Sequence, residues 1–254
     1  MLPVERKQRI RDIVLRDRRV VVAELSQQFG VTDETVRRDL QALEREGLIE
    51  RTHGGAIARD VEIEDLPYPV RQGINLPAKR RIALSARRLI KDGDAVMIDS
   101  SSTAFQLLPH LREHKDLTLI TNSVRILGEP ALVDHTIMSV GGELRQQSMT
   151  FVGPLAVQAL GRFNADIAFI SAKAISMTSG LMDASVADAE IKRAFVRHAR
   201  QVCLLVDGDK FDGVGLISVC DFEPVAIVVT DRKPSDAWID FLAARQVRLL
   251  YETT

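Results

Sequence analysis

The sequence predicts an α/β protein of two domains: a winged helix-turn-helix over residues 1–58, a linker over 59–70 and an α/β domain over 71–254. Three observations predict it. The first 58 residues place a helix, a short β-branched run, a helix stopped by glycine, a further helix, and two strand-like runs around His53-Gly54-Gly55 in that order. An acidic run from Asp60 to Asp65 then leads into Leu66-Pro67-Tyr68-Pro69, where apolar anchors are few and two prolines interrupt helix. Beyond it, helical patterns alternate with short apolar runs, the pattern of an α/β sheet.

Composition bounds the answer. A chain of 254 residues is long enough for two domains, each with its own core. With 46% hydrophobic and 27% charged residues it is an ordinary globular protein, neither disordered nor fibrous. No run approaches the roughly 18 apolar residues of a membrane span, and Met1-Leu2-Pro3-Val4-Glu5-Arg6 has no apolar signal core, so the expected location is the cytoplasm. Cys203 and Cys220 lie in apolar, strand-like contexts and read as two buried reduced thiols, with no disulfide, metal site or cofactor implied.

The net charge of −1 alone does not suggest a nucleic-acid partner, but its distribution does. Residues 6–19 carry seven Lys or Arg against two Asp, a net of +5. Ile10, Ile13 and Val14 recur at helical spacing, so residues 4–16 are expected to form an amphipathic helix with its basic side outward. Arg19-Val20-Val21-Val22 reads as a brief strand. Ala23 to Phe29 reads as a helix with Ala23, Leu25 and Phe29 toward the core, ended by Gly30 in a positive-φ turn.

Thr32 is then a helix N-cap, with Asp33 and Glu34 in the first turn, where negative charge complements the helix dipole. Val36, Leu40 and Leu43 form an inward stripe, which leaves Thr35, Arg37 and Arg38 projecting elsewhere. Such a helix can enter a major groove, where arginine pairs with guanine and threonine meets bases or phosphate. Leu48 to Thr52 and Ala56 to Ala58 flank the glycine turn as the strands of a wing, whose Arg51, His53 and Gly54 reach phosphate or the minor groove. Solvated surface arginines on an interaction module are the plainer reading; the agreement of successive signals weighs against it.

Residues Glu5 to Ala58, above all Thr35-Val36-Arg37-Arg38-Asp39-Leu40 and Arg51-Thr52-His53-Gly54-Gly55-Ala56, resemble the DNA-binding signature of the DeoR family of bacterial regulators. The resemblance implies double-stranded operator DNA as partner, a recognition helix carrying Thr32, Asp33, Thr35, Arg37 and Arg38, and a sensor domain of ribose-5-phosphate-isomerase-like α/β fold. It also implies a phosphorylated sugar or related anion as effector, and pairing of subunits.

In the second domain, helices are expected near 78–91, 103–113, 187–200 and 235–244, with strands at 95–98, 117–120, 136–140, 167–170, 202–206, 225–229 and 247–250. Continuous apolar strands imply burial on both faces, and ligands in such sheets bind beyond the carboxyl ends of strands. The residues there are Asp99-Ser100-Ser101-Ser102-Thr103, Thr121-Asn122-Ser123, Gly141-Gly142 and Asp207 with Lys210. Hydroxyls and backbone N–H groups in the first turn can hold phosphate, although simple helix capping by serine or threonine explains that turn alone.

This array also resembles the DeoR sensor domain, whose matching segments add Lys79, Glu190 and Lys192 as effector-site residues, with Lys173 joining the presumed pocket as a departure. Ser101 stands where the family commonly has glycine, and Ser171-Ala172-Lys173-Ala174 replaces a more usual Gly-Ala-Asp-Gly. Lys173 either adds a cation for a more acidic ligand or pairs with Glu190. The alternative class is a sugar-phosphate isomerase using Asp99, Lys173, Glu190, Asp207 and Lys210 for proton transfer. The N-terminal module has no part in such chemistry, which favours a regulator, with no catalytic residues.

Overall fold

The computed structural model describes residues 2–17, 19–45, 49–58 and 66–252, and the chain divides into two compact units, 1–74 and 75–254.

The first unit runs α1 (Pro3–Asp17), β1 (Arg19–Val21), α2 (Val22–Phe29), α3 (Asp33–Arg45), β2 (Ile49–Thr52), β3 (Gly55–Ala58) and α4 (Tyr68–Gly73). Its core joins Ile10 and Val14 of α1, Leu25 of α2, and Val36, Leu40 and Leu43 of α3. Strands β1, β3 and β2 form an antiparallel sheet in that order, so the short run after α1 becomes the inner anchor of the wing. The helix after it begins one residue earlier than the sequence pattern suggests. Val22 is buried as the first residue of α2, and Ala23 is exposed, because the donor at Val22 N goes to the Gly54 carbonyl (2.9 Å) and ends the strand.

Two sequence expectations need correction here. The basic side of α1 does not all face outward. Arg6 and Arg11 are each 7% exposed: Arg6 Nε donates to Asp39 Oδ2 of α3 at 2.6 Å, and Arg11 Nη2 donates to the Gly73 carbonyl at 2.6 Å. Both guanidiniums are spent on internal acceptors, which buried charge requires. The linker expected over 59–70 is also shorter. Residues 59–65 lie outside the described residues, but Leu66 and Val70 are buried in the first unit's core and Tyr68 opens α4. The prolines do not prevent this: Pro69 sits in the first turn of α4, where its missing N–H costs nothing.

The second unit runs α5 (Leu76–Ala86), β4 (Ala95–Ile98), α6 (Leu108–Leu111), β5 (Thr118–Thr121), α7 (Val124–Leu127), β6 (Thr136–Ser139), β7 (Glu143–Arg145), β8 (Thr150–Val152), α8 (Pro154–Leu160) and β9 (Ala165–Ile170). It continues with β10 (Ala174–Ser176), β11 (Gly180–Asp183), α9 (Val186–Arg197), β12 (Ala199–Leu205), β13 (Ile217–Cys220), β14 (Ile227–Val229), α10 (Asp236–Ala244) and β15 (Arg248–Leu250). Seven strands form a parallel sheet in the order β15-β14-β12-β9-β4-β5-β6. Successive side chains of β4 alternate between cores: Val96 and Ile98 join residues of α5 and α6, while Met97 joins those of α8, α9 and α10. A strand buried on both sides needs no polar alternation, which is why these runs are continuously apolar.

The chain leaves β4 toward β5 and β6, then returns through β9 to the other side of β4 before continuing to β12, β14 and β15. That reversal makes the β4–β9 junction the topological switch point, where open α/β sheets leave a crevice beyond the strand ends. The helix expected over 103–113 is instead a 3₁₀ turn at Ala104–Leu107 followed by the one-turn α6, with Pro109 at its start. The hairpin β7–β8 and the small antiparallel sheet β10-β11-β13 carry too few residues each to give a periodic signal. Cys203 is buried and Cys220 half-buried; both are free, and burial pushes the Cys220 thiol up to about 11.

Gly55 shows how tightly the wing sits. A Cβ there would lie 1.9 Å from the Val20 carbonyl oxygen, whereas one on Gly54 would meet nothing within 4 Å. Gly55→Ala is expected to destabilise the first unit by about 1–3 kcal/mol, the usual cost of overpacking, while Gly54→Ala leaves it within roughly 0.5 kcal/mol. Urea denaturation followed by circular dichroism of both variants checks the contrast.

Candidate nucleic-acid and effector sites

In the first unit, the Thr32 hydroxyl accepts from Thr35 N (3.3 Å) and lies 3.0 Å from the Thr35 hydroxyl, which caps α3 and fixes its start. With Val36, Leu40 and Leu43 buried, Asp33, Glu34, Arg37, Arg38 and Gln41 stand exposed and Thr35 is half-buried. Arg37 and Arg38 thus form a cationic edge on the helix face away from the core. Asp33 sits in the first turn, where its charge suits the helix dipole and opposes phosphate. Arg51, His53 and Gly54 are exposed along the wing, and Glu44 Oε1 of α3 accepts Arg51 N (3.2 Å), tying wing to helix.

In the second unit, the strand-end residues meet around one carboxylate. Asp99, 1% exposed, accepts Ser101 N at Oδ1 (2.9 Å) and Ser171 N at Oδ2 (2.9 Å), so it bolts the β4 turn to the β9 turn across the switch point. Lys192 of α9 reaches Asp99 Oδ2 at 3.7 Å and makes a short ion pair with Asp183 at the end of β11. Burial alone would push the Lys192 ammonium down, but the Asp183 and Asp99 carboxylates outweigh it and hold it above the ordinary lysine value. Lys210 Nζ donates to the Ser171 hydroxyl (2.9 Å) and the Ala172 carbonyl (2.7 Å).

The turn after β4 is buried throughout, from Ser100 to Thr103. Ser101 Oγ accepts Ala104 N (3.0 Å), so this serine is a cap, as the plainer reading has it. Thr103 Oγ1 is different: it is buried and has no hydrogen-bond partner among the described residues. Asn122 is alike. Its Nδ2 donates to the Phe151 carbonyl (3.3 Å), and its buried Oδ1 meets no donor among the described residues. Thr121 Oγ1 donates to the Ile98 carbonyl (2.7 Å) and accepts Ser123 N (3.1 Å), fixing the β5 turn. After β6, Gly141 and Gly142 have φ of 62° and 107°, and a Cβ on Gly142 would lie 2.7 Å from the Val152 carbonyl, so only glycine lets the hairpin fold back here.

Lys79 is buried on α5, and Lys173 half-buried after β9. Glu190 is not gathered with them. It lies two residues from Lys192 on α9, hence on a different face, and pairs with Arg193, whose guanidinium also donates to the Ser218 and Val219 carbonyls of β13. Asp207 is 3% exposed and accepts Asn75 Nδ2 (3.0 Å) and Asp209 N (3.3 Å).

Three residues were missed by sequence reasoning: Asp183, which holds Lys192; Arg145, which donates to Ser185 Oγ (2.8 Å) and Asp188 Oδ2 (2.7 Å) and so clips the hairpin to the start of α9; and Asp231, 5% exposed. Asp231 follows the apolar run of β14, a position the strand-end rule marks; the other two belong to strands too short to read. Among the described residues no cluster of His, Cys, Asp and Glu fits a metal, and no helix is long and apolar enough to cross a membrane.

The DeoR-like helix-turn-helix domain matches residues 6–62 and the DeoR C terminal sensor domain residues 74–232. The HTH-type transcriptional regulator YulB of Bacillus subtilis is 31% identical over 98% of this chain and 96% of its own length. The repressor GlcR of the same organism is 30% identical over the same shares, and the L-fucose operon activator of Haemophilus influenzae 30% identical over 85% of this chain and 86% of that protein. Among solved structures, ribose 5-phosphate isomerase A from Methanocaldococcus jannaschii overlaps 54% of this chain and 55% of that one, with a TM-score of 0.40 and 18% identity; the overlap is partial and the family assignment does not depend on it.

The buried ionic cluster is directly testable. Lys192→Met leaves the Asp99 and Asp183 carboxylates without their cation and is expected to cost about 3–5 kcal/mol, the penalty of breaking a buried pair. Because the Lys192 value is raised in the fold, its contribution is complete below the ordinary lysine value near 10.5 and fades only as pH rises through the folded one. Thermal denaturation of wild type and variant between pH 6 and 9 checks both the size and the flat profile.

Proposed function

The chain belongs to the DeoR family of transcriptional regulators, and from that premise we propose that it is a repressor of carbohydrate-metabolism genes whose hold on operator DNA is set by a phosphorylated sugar bound at the β4–β9 switch point. The observation that carries the reading is the pair of buried unpartnered oxygens, Thr103 Oγ1 and Asn122 Oδ1, beside a hydroxyl-rich turn in which Ser101 is already engaged through both its N–H and its hydroxyl. A buried polar atom left unpaired costs about 1–3 kcal/mol, which a ligand hydroxyl or phosphate oxygen returns. Thr103 donates to a phosphate oxygen; Asn122 Oδ1, oriented by its own Nδ2 bond to Phe151, accepts only from a donor such as a sugar hydroxyl.

Among the described residues, the three carboxylates of the isomerase alternative are already engaged. Asp99 is committed to two backbone N–H groups, Asp207 to Asn75 and Asp209 N, and Glu190 to Arg193. Carboxylates so engaged hold loops rather than take protons from carbon.

On DNA, α3 enters the major groove with Arg37 and Arg38 forward, and Arg51 and His53 of the wing meet the backbone. Two subunits would present two such helices to a palindromic operator. The effector must bind the two DNA-binding states unequally, since equal affinity regulates nothing.

Arg37→Ala or Arg38→Ala is expected to weaken operator binding by about 1–3 kcal/mol where the arginine reads a base, or by less and uniformly across sequences where it meets phosphate. Fluorescence anisotropy on operator and scrambled duplexes separates these, and unchanged binding by both variants overturns the recognition-helix assignment. For the effector, pentose and hexose phosphates are expected to raise the melting temperature of wild type, with the shift lost in Thr103→Val and Asn122→Ala. A shift with no member of the panel sinks the sensor reading.

A further inference from the structure

The second unit holds another cleft, apart from the switch point. It has a volume of about 790 Å³ and lies beyond the carboxyl ends of β14 and β15, against α5. Arg81 and Arg88 line it from the helix side, Arg232 and Lys233 from the turn after β14, and Tyr251 with the exposed Glu252 from the end of β15, so four cations stand against two carboxylates, Asp231 and Glu252. None of the strand-end residues from Asp99 to Lys210 named above lines it. We propose that this cleft binds a small molecule carrying two or more phosphate groups, as a second ligand site distinct from the sugar-phosphate pocket.

Charge and construction point that way. Asp231 is buried at the cleft floor, but its carboxylate is already used: it accepts Gly208 N at 2.7 Å and Arg81 Nη2 at 3.2 Å. Arg88 is exposed and has no ionic partner among the described residues. Arg232 pairs with Asp209 and Lys233 with Asp236, but both pairs stand more than half exposed, and exposed pairs hold their members weakly. An incoming phosphate therefore replaces a weak solvent-screened partner with a bidentate one. Cations supplied by two separate segments, Arg81 and Arg88 at α5 and just after it and Arg232 and Lys233 after β14, suit an anion with two charged ends better than a single phosphate.

Arg232 is not a loose surface arginine. A Cβ on Gly208 would lie 2.3 Å from its Nε, so the side chain rests directly on the Gly208 backbone and is placed by it. Its partner Asp209 also accepts Asn75 Nδ2 at 2.8 Å, and Asn75 in turn donates to Asp207. Engaging Arg232 from the cleft thus competes with a bond in a chain that ends on Asp207, whose carbonyl accepts Lys210 N (3.0 Å), and Lys210 in turn bonds Ser171 at the β9 turn, which gives the two sites a physical route for influencing each other.

Isothermal titration of pyrophosphate into the full chain tests the proposal, with Arg88→Ala and Arg232→Ala at the cleft and Thr103→Val in the first pocket as comparison. Pyrophosphate is expected to bind, and to bind about tenfold more weakly with either arginine removed, the usual loss of a charge-assisted contact, while Thr103→Val changes its affinity less than twofold. Arg88 is exposed, so Arg88→Ala keeps the wild-type melting temperature. No pyrophosphate binding, or binding weakened as much by Thr103→Val as by Arg88→Ala, overturns the proposal. Neither result bears on the sugar-phosphate reading, which stands or falls on the melting shifts of its own panel.

Discussion

The β4–β9 junction of the second unit is held by one buried carboxylate, Asp99. A parallel sheet whose strand order reverses between β4 and β9 sets two turns side by side, and each has backbone N–H groups that face no strand. Asp99 accepts one from each loop, Ser101 N and Ser171 N, and Lys192 offsets its charge from α9. Carboxylate burial is costly unless every lone pair finds a donor, and here the donors are the loops themselves. The same bonds that neutralise the cost therefore hold the β4 and β9 turns against each other. Lys210 closes the arrangement by bonding Ser171 and Ala172 from the β12 side.

A comparable economy shapes the first unit. The basic stretch of α1 is divided by burial: Arg6 and Arg11 hold α3 and α4 in place, and Asp39 is consumed by Arg6. With Arg6 and Arg11 engaged inside, the exposed arginines among the described residues of this unit include Arg9, Arg19, Arg37, Arg38 and Arg51. The wing is in turn an extension of a three-stranded sheet rather than an isolated hairpin, anchored where Gly55 passes against Val20.

The sheet strands and the stripe of α3 were legible because burial on both faces or on one helical face imposes a period that residues cannot hide: Val36, Leu40 and Leu43, or Ala95 to Ile98, admit few other readings. Asp99, Thr103 and Asn122 follow the carboxyl ends of β4 and β5, where the strand-end rule directs the search. What could not be read was pairing across long separations. Nothing local distinguishes Arg6, bonded to Asp39, from Arg9, or marks Asp183 as the partner of Lys192 nine residues on. Glu190 illustrates the converse: the family resemblance put it in the effector site with Lys192, yet two residues along a helix turn a side chain well away, and Arg193 takes it to β13. The linker was overextended because two prolines were read as breaks, whereas one begins a helix.

The claim that joins both units is that occupancy of the Asp99 crevice changes the affinity of the recognition helix for DNA. Operator affinity of the full chain, measured across a titration of the sugar phosphate that gives the largest melting shift, tests it most directly, with Thr103→Val as the uncoupled control. A change of fivefold or more in wild type, the scale of common allosteric couplings, that vanishes in Thr103→Val is the expected result. Identical operator affinity with the crevice empty and saturated contradicts it.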